Sequence, residues 1–214
     1  MLLTEVTREE RLLQLTTMVL TDCCLSAGVP VYLFSETVDN EASVLAKGVQ
    51  LLQGGRVSGL AIVKDIAGAN RGYPGAESWH DQLITRGVPS EKISFIRCEN
   101  LLHTYVEAQA LVMHAQRYHW RKVVIVAPPF HQLRAFMAVV SAMKLLRFDD
   151  LRVYNQVGSK LSWDEDVFHS QGKLQATRRE LVVTELRRIY LYHEKGDLVS
   201  IDEALEYLAW RDKP

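Results

Sequence analysis

This 214-residue sequence predicts a doubly wound α/β fold: a three-layer αβα sandwich on a parallel sheet of about five strands. Three observations predict it. Short β-branched apolar runs, of which Val123-Val124-Ile125-Val126 is the purest, have the composition of strands buried on both faces. Between them lie stretches whose apolar residues recur at three and four, the spacing of helices laid over a sheet. Strand and helix alternate along the chain, which right-handed crossovers turn into a parallel sheet, here in the order 3-2-1-4-5. The length suits one domain, 1–214, with a sizeable core.

Taken in order, Thr7-Arg8-Glu9-Glu10 reads as a capping box opening an N-terminal helix over 7–27, with Gly28 as its cap and Pro30 as its stop. The first strand is Val31 to Phe34. Asp39 or Asn40 is placed to cap the next helix, which buries Val44, Leu45, Val49, Leu51 and Leu52 and ends at Gly54-Gly55. The second strand is Leu60 to Val63. A glycine-rich segment from Lys64 to Ala76 follows, the longest break in periodicity, and a long loop after a parallel strand is expected to be functional or a lid. A helix from Glu77 to Arg86 and the turn Gly87-Val88-Pro89-Ser90 lead to a third strand, Ile93 to Ile96. Thr104 and Glu107 have the spacing of a second capping box, on a helix from His103 to about Tyr118.

The fourth strand, Val123 to Ala127, is ended by Pro128-Pro129, neither of which can donate to a ladder. Phe130, Leu133, Phe136 and Met137 then set a helical period lasting to about Leu146. Arg152 to Tyr154 is a fifth strand. The polar segment Ser162 to Gly172 reads as loop, which makes His169 a surface histidine. A C-terminal helical extension over 173–211 holds a long helix, Leu174 to Glu194, and a short one capped by Ser200 and Glu203.

The composition narrows the function. A formal charge of −1, with basic pairs such as Arg187-Arg188 interrupted by Glu185, argues against nucleic acid or an anionic membrane as partner. Three cysteines, two of them adjacent, make no metal or redox spacing, so no metal site is expected and a reducing cytoplasmic location fits. No apolar run reaches a membrane span, and early glutamates exclude a signal peptide. Walker, G-x-G-x-x-G, G-x-S-x-G and zinc-ligand patterns are all missing. That weighs against an ordinary dinucleotide-dependent dehydrogenase.

What remains is a set of polar residues just beyond the strand ends. Ser35, Glu36 and Asn40 follow the first strand, Lys64 and Asp65 the second, and His131 and Arg134 the fourth. With that strand order the ligand crevice lies between strands one and four, which sets Ser35 and Glu36 opposite His131 and Arg134. Arg134 would anchor a phosphate or carboxylate through its planar fork, and His131 would donate to it or move a proton. Glu36 and Glu77 are candidates to bind hydroxyls or act as bases. The plainer alternatives are a solvated His131–Arg134 pair on a surface helix, loop charges at Lys64 and Asp65, and a Glu77 that only complements a helix dipole.

Pro129-Phe130-His131-Gln132-Leu133-Arg134-Ala135 resembles the Ser-x-His-x-x-Arg-Ala motif of the YdcF-like family, which includes SanA and ElyC. Glu77, Gly87-Val88-Pro89, Ile93 and Thr104-x-x-Glu107-Ala108 fall where that family has a glutamate, a Gly-Val-Pro turn and a Thr-x-x-Asn/Glu-Ala helix start. The resemblance spans about 31–147. It implies a Rossmann-like fold whose common pocket is lined by His131, Arg134, Thr104, Glu107 and Glu77, with S-adenosylmethionine as a candidate ligand. The sequence departs from the family at Lys64-Asp65-Ile66, where Ser-Gly-Gly is usual, and near Val44, where an arginine is usual.

These readings converge on a site for an anionic or nucleotide-like small molecule at the carboxyl edge of the sheet, with transferase or hydrolase chemistry. The alternative is a non-catalytic sensor or interaction module on the same fold. Oligomeric state is left open.

Overall fold

The computed structural model describes residues 6–24, 27–65, 72–100, 102–170 and 172–213; of Asp65 it describes the backbone alone. Five strands, β1 (Val29–Leu33), β2 (Val57–Asp65), β3 (Ile93–Cys98), β4 (Lys122–Ala127) and β5 (Arg152–Val157), form one sheet. Its order is β3-β2-β1-β4-β5, and every pairing is parallel. The sequence predicts this order from right-handed crossovers, and the sheet has it. Pro30 interrupts the register between Val29 and Val31, as a residue without an N–H must.

Helices α2 (Glu41–Gln53) and α3 (Ala76–Thr85) pack together over β1, β2 and β4. The other layer is α4 (Thr104–Arg117) against α5 (Gln132–Leu146). Helices α1 (Arg8–Leu20), α6 (Arg178–Glu194) and α7 (Ile201–Arg211) then pack on α5. Every residue of α5 from Gln132 to Met143 is therefore buried. A helix covered all round follows from its sequence, in which Ala135, Phe136, Ala138, Val139 and Ala142 leave no polar stripe. The surface-helix alternative for His131 and Arg134 does not hold.

Four local expectations are corrected. Helix α1 ends at Leu20, with Thr21 as its cap, well before residue 27; Gly28, at φ 72°, turns the chain into β1 instead. Thr104 and Glu107 make no capping box: His103 is the N-cap, and the Glu107 carboxylate turns inward to Tyr32 and Ser35. The segment read as loop folds into an antiparallel hairpin, β6 (Asp166–His169) with β7 (Leu174–Thr177). The long helix accordingly starts at Arg178, where Thr177 and Glu180 form a capping box that the chain's third Thr-x-x-Glu spacing supplies.

Candidate functional site

The corner after β4 is held rigidly. Gln132, the first residue of α5, accepts from the Ala127 N–H (2.7 Å) and donates to Asn155 Oδ1 (3.0 Å), so the amide ties the helix start back to the end of β4 and the middle of β5. His131 sits just ahead of it as the N-cap residue, its side chain free of any capping bond and 3% exposed. It points into a cavity of about 500 Å³ at the carboxyl edge of the sheet, between the segments that follow β1, β3 and β4. This is the switch point of a doubly wound sheet, where the crossovers leave β1 and β4 in opposite directions.

Two polar chains meet there. In the first, His131 Nδ1 lies 2.6 Å from Glu36 Oε1, and His131 Nε2 lies 3.2 Å from Thr104 Oγ1. A carboxyl, an imidazole and a hydroxyl thus stand in line. In the second, Glu185 of α6 gathers three partners. Arg134 grips it through Nε and through Nη2 (3.2 Å), Arg188 Nη1 donates to it at 2.8 Å, and His169 Nε2 lies 3.0 Å away. His169 joins the chains, because its Nδ1 is 3.7 Å from Glu36 Oε2. That Nδ1 is buried with no hydrogen-bond partner.

Burial sets the charges. It pushes the Glu36 carboxyl well above the usual range, and nearby Glu185 adds to the shift. Burial also pulls His131 well down, as does the Arg134 guanidinium. Both shifts favour an uncharged carboxyl beside an uncharged imidazole over an ion pair. Burial alone would raise Glu185, but Arg134 and the His169 hydrogen bond outweigh it and hold the carboxyl well below its usual range. Glu107 is raised to about 7 by burial, against the three donors it receives from Tyr32 and Ser35. Of the carboxyl groups around the two guanidiniums, Glu185 alone is held below its usual range, while Glu36 and Glu107 keep their protons to higher pH than usual, which favours positive charge in the cavity as pH falls. Asp197 at the wall and Lys173 at the rim offset one another.

Six sequence candidates come together around the cavity: Ser35, Glu36, Thr104, Glu107, His131 and Arg134. Arg134 occupies a different position from the open anchor expected of it. It is 8% exposed and its Nε and Nη2 are engaged by Glu185. Three candidates stand elsewhere. Asn40 is fully buried, its amide bonded to Thr37, the Phe168 carbonyl and Arg178, so it sews the hairpin to the segment after β1. Lys64 and Glu77 form an exposed pair with each other at 2.7 Å, outside the cavity wall. The Asp65 side chain lies outside the described residues. So does the middle of the expected lid, 66–71; its far end, Tyr73, is buried, donates to the Val63 carbonyl (3.0 Å) and forms part of the cavity wall.

His169, Glu185 and Arg188 are the residues that sequence reasoning passed over. His169 is 4% exposed, which corrects its reading as a surface residue. Its signal is the alternation Val167-Phe168-His169, in which only Phe168 faces out. That of Glu185 is an acid midway between Leu181 and Ile189, on the buried stripe of α6. Among the described residues no cluster of histidine, cysteine or carboxylate could hold a metal ion, and no helix is long and apolar enough to cross a membrane. Comparison with protein-family models, with curated proteins and with solved structures returns no match.

Proposed function

We propose that this cavity binds an anionic or nucleotide-like small molecule and performs transferase or hydrolase chemistry on it, with His131 as general acid–base. The observation that carries the reading is the pairing of Arg134 and Arg188 with the single carboxylate of Glu185, beside an imidazole–carboxyl pair. An uncompensated cation in a desolvated cleft attracts a phosphate or carboxylate strongly. Arg188 is the anchor. It gives Nη1 to Glu185, its side chain is 20% exposed, and the rest of its fork has no protein partner among the described residues. Arg134 is the support that fixes Glu185. The YdcF-like resemblance rests on the motif residues alone and makes S-adenosylmethionine one ligand to try first. The enclosure of Arg134 and His131 in protein bonds supports a second reading, a sensor that keeps the pocket and performs no reaction.

A thermal-shift panel of S-adenosylmethionine, nucleotides and sugar phosphates tests the proposal. A true ligand at 100 times its dissociation constant should stabilise the fold by about 2.7 kcal/mol. Arg188→Ala should weaken that ligand by about 1.5–3 kcal/mol, roughly 10- to 150-fold. His131→Gln then separates the readings: in an enzyme turnover falls about 100-fold or more with binding retained. In a sensor affinity alone responds. A panel in which no anion stabilises the protein would remove the proposal.

A further inference from the structure

Beyond holding an anion, the cavity wall carries a hydroxyl poised for chemistry. We propose that Thr104, His131 and Glu36 act as nucleophile, base and carboxyl partner in the hydrolysis of a carboxylic ester that bears a negative charge. The inference rests on the reading of the cavity as an anion site and adds the reaction.

Three crossovers bring these groups together: Glu36 from the segment after β1, Thr104 from the start of α4 beyond β3, and His131 from the corner after β4. Thr104 Oγ1 is 3.2 Å from His131 Nε2, and the other ring nitrogen is 2.6 Å from Glu36 Oε1. Fixing Nδ1 on the carboxyl leaves Nε2 to take the hydroxyl proton, the order of roles that such a triad requires. Thr104 is half-buried on the cavity wall, whereas the neighbouring Ser35 hydroxyl is turned away into Glu107 at 2.7 Å. Of these two hydroxyls, only that of Thr104 faces a base.

The surroundings supply the two other parts of an acyl-transfer site. The first backbone bond of α4 runs from the Glu107 N–H to the His103 carbonyl, and the His103 side chain makes no cap. The N–H groups of Thr104, Tyr105 and Val106 thus have no protein acceptor among the described residues, and the first turn of the helix that carries the nucleophile offers donors to an oxyanion. Independently, His169 presents its buried, unpartnered Nδ1 to Glu36 Oε2 at 3.7 Å. Since His169 Nε2 donates to the Glu185 carboxylate, Nδ1 carries a lone pair. That lone pair faces the Glu36 carboxyl, and the positive charge that develops on His131 lies beside a ring already paired to Glu185, the two ring centroids being 5.8 Å apart.

In the first step the Thr104 hydroxyl proton passes to His131 Nε2 while Oγ1 bonds to the ester carbonyl carbon. The carbonyl π pair moves onto oxygen, which the N–H groups receive. Collapse breaks the bond to the alcohol oxygen, and that oxygen takes the proton back from Nε2. Water then repeats the sequence: it gives a proton to Nε2, its oxygen bonds to the acyl carbon, the bond to Oγ1 breaks, and Oγ1 is reprotonated. One ester and one water yield one acid and one alcohol.

The test is acylation of the full chain by p-nitrophenyl acetate, followed by peptide mapping. We expect a burst of about one nitrophenolate per chain and an acetyl group on Thr104, as an accumulating acyl-enzyme requires. Thr104→Ser keeps a hydroxyl and should acylate. Thr104→Ala, checked for folding by circular dichroism, should not. His131→Gln should slow acylation about 100-fold or more. An unmodified chain, acetylation confined to lysines or other hydroxyls, or an undiminished burst in Thr104→Ala would overturn the proposal. The thermal-shift panel run on Thr104→Ala separates this inference from the one beneath it. Anion binding without acylation leaves the pocket and removes the esterase, whereas acylation without a stabilising anion keeps the nucleophile and removes the anion site.

Discussion

Arg134 and Arg188 bind the same carboxylate, yet their burial gives them different work. Arg134 is nearly enclosed and makes two of its bonds to Glu185; removing it strips most of the compensation from a buried carboxylate. Arg134→Ala should therefore destabilise the fold by about 3–5 kcal/mol, the range for breaking one side of a buried ion pair. Arg188→Ala should cost the fold far less, because Arg134 remains, and should act on ligand affinity instead. Urea unfolding of the two variants checks this; equal and small losses would show that Arg134 is not the support of Glu185. The sequence marks Arg134 as a site residue through its place one turn beyond a strand end. It does not show that the guanidinium is already partnered, since Glu185 lies 51 residues later on another helix. Residues that meet only through tertiary packing leave no local spacing to read.

At the scale of elements, legibility follows the source of the stabilisation. The interior strand β4 and helix α5 are the most readable, because a strand buried on both faces and a helix covered all round are largely apolar, whereas the edge strands β3 and β5 show only short apolar segments. The hairpin β6–β7 is not readable, because so little of it is apolar: only Val167 and His169 of β6 are buried, and its partners are polar. Thr37 and Asn40 bond the Phe168 carbonyl, Asp39 accepts its N–H, and Arg178 reaches Asn40, the Asp39 carbonyl and the Ser162 carbonyl. A strand held by side chains from 130 residues away looks like loop in sequence. The small apolar cluster of Phe130, Val167 and Leu181 closes the hairpin over the cavity. Two changes should separate cap from core. Thr177→Ala removes the capping box of α6 and should cost about 1 kcal/mol with ligand binding unaltered. Leu181→Ala opens the cluster and should cost about 2–5 kcal/mol. Thermal melts of both, with and without ligand, check the ranking. A Thr177→Ala variant as damaged as Leu181→Ala would mean that α6 is held by its end rather than by its face.

For the whole molecule, the site ties stability to pH in two opposing directions. His131 and His169 are pulled below 6.5, chiefly by burial, so the unfolded chain takes up protons that the folded one resists. Stability therefore falls as pH drops through 6.5. Below 4.5 the ionised Glu185 adds to the loss, since its contribution disappears as pH falls through its depressed folded value. Glu36 and Glu107 work the other way. Glu107 holds its proton to about 7 when folded and releases it near 4.5 when unfolded. Between those values the native state binds more protons, and stability falls as pH rises, by about 3 kcal/mol in full. Above 6.5 the histidines are neutral in both states, so Glu107 and Glu36 govern that side. Glu107→Gln isolates the Glu107 share, since an amide occupies the same place without titrating. Measured by urea unfolding at pH 5 and pH 9, the free-energy difference between parent and variant should move by roughly 2–3 kcal/mol against the parent at the higher pH. A difference that stays constant would mean that the Tyr32 and Ser35 donors outweigh burial and keep Glu107 ionised throughout. The carboxylate would then be a permanent negative charge in the cavity wall, and the excess positive charge on which the anion site depends would be cancelled.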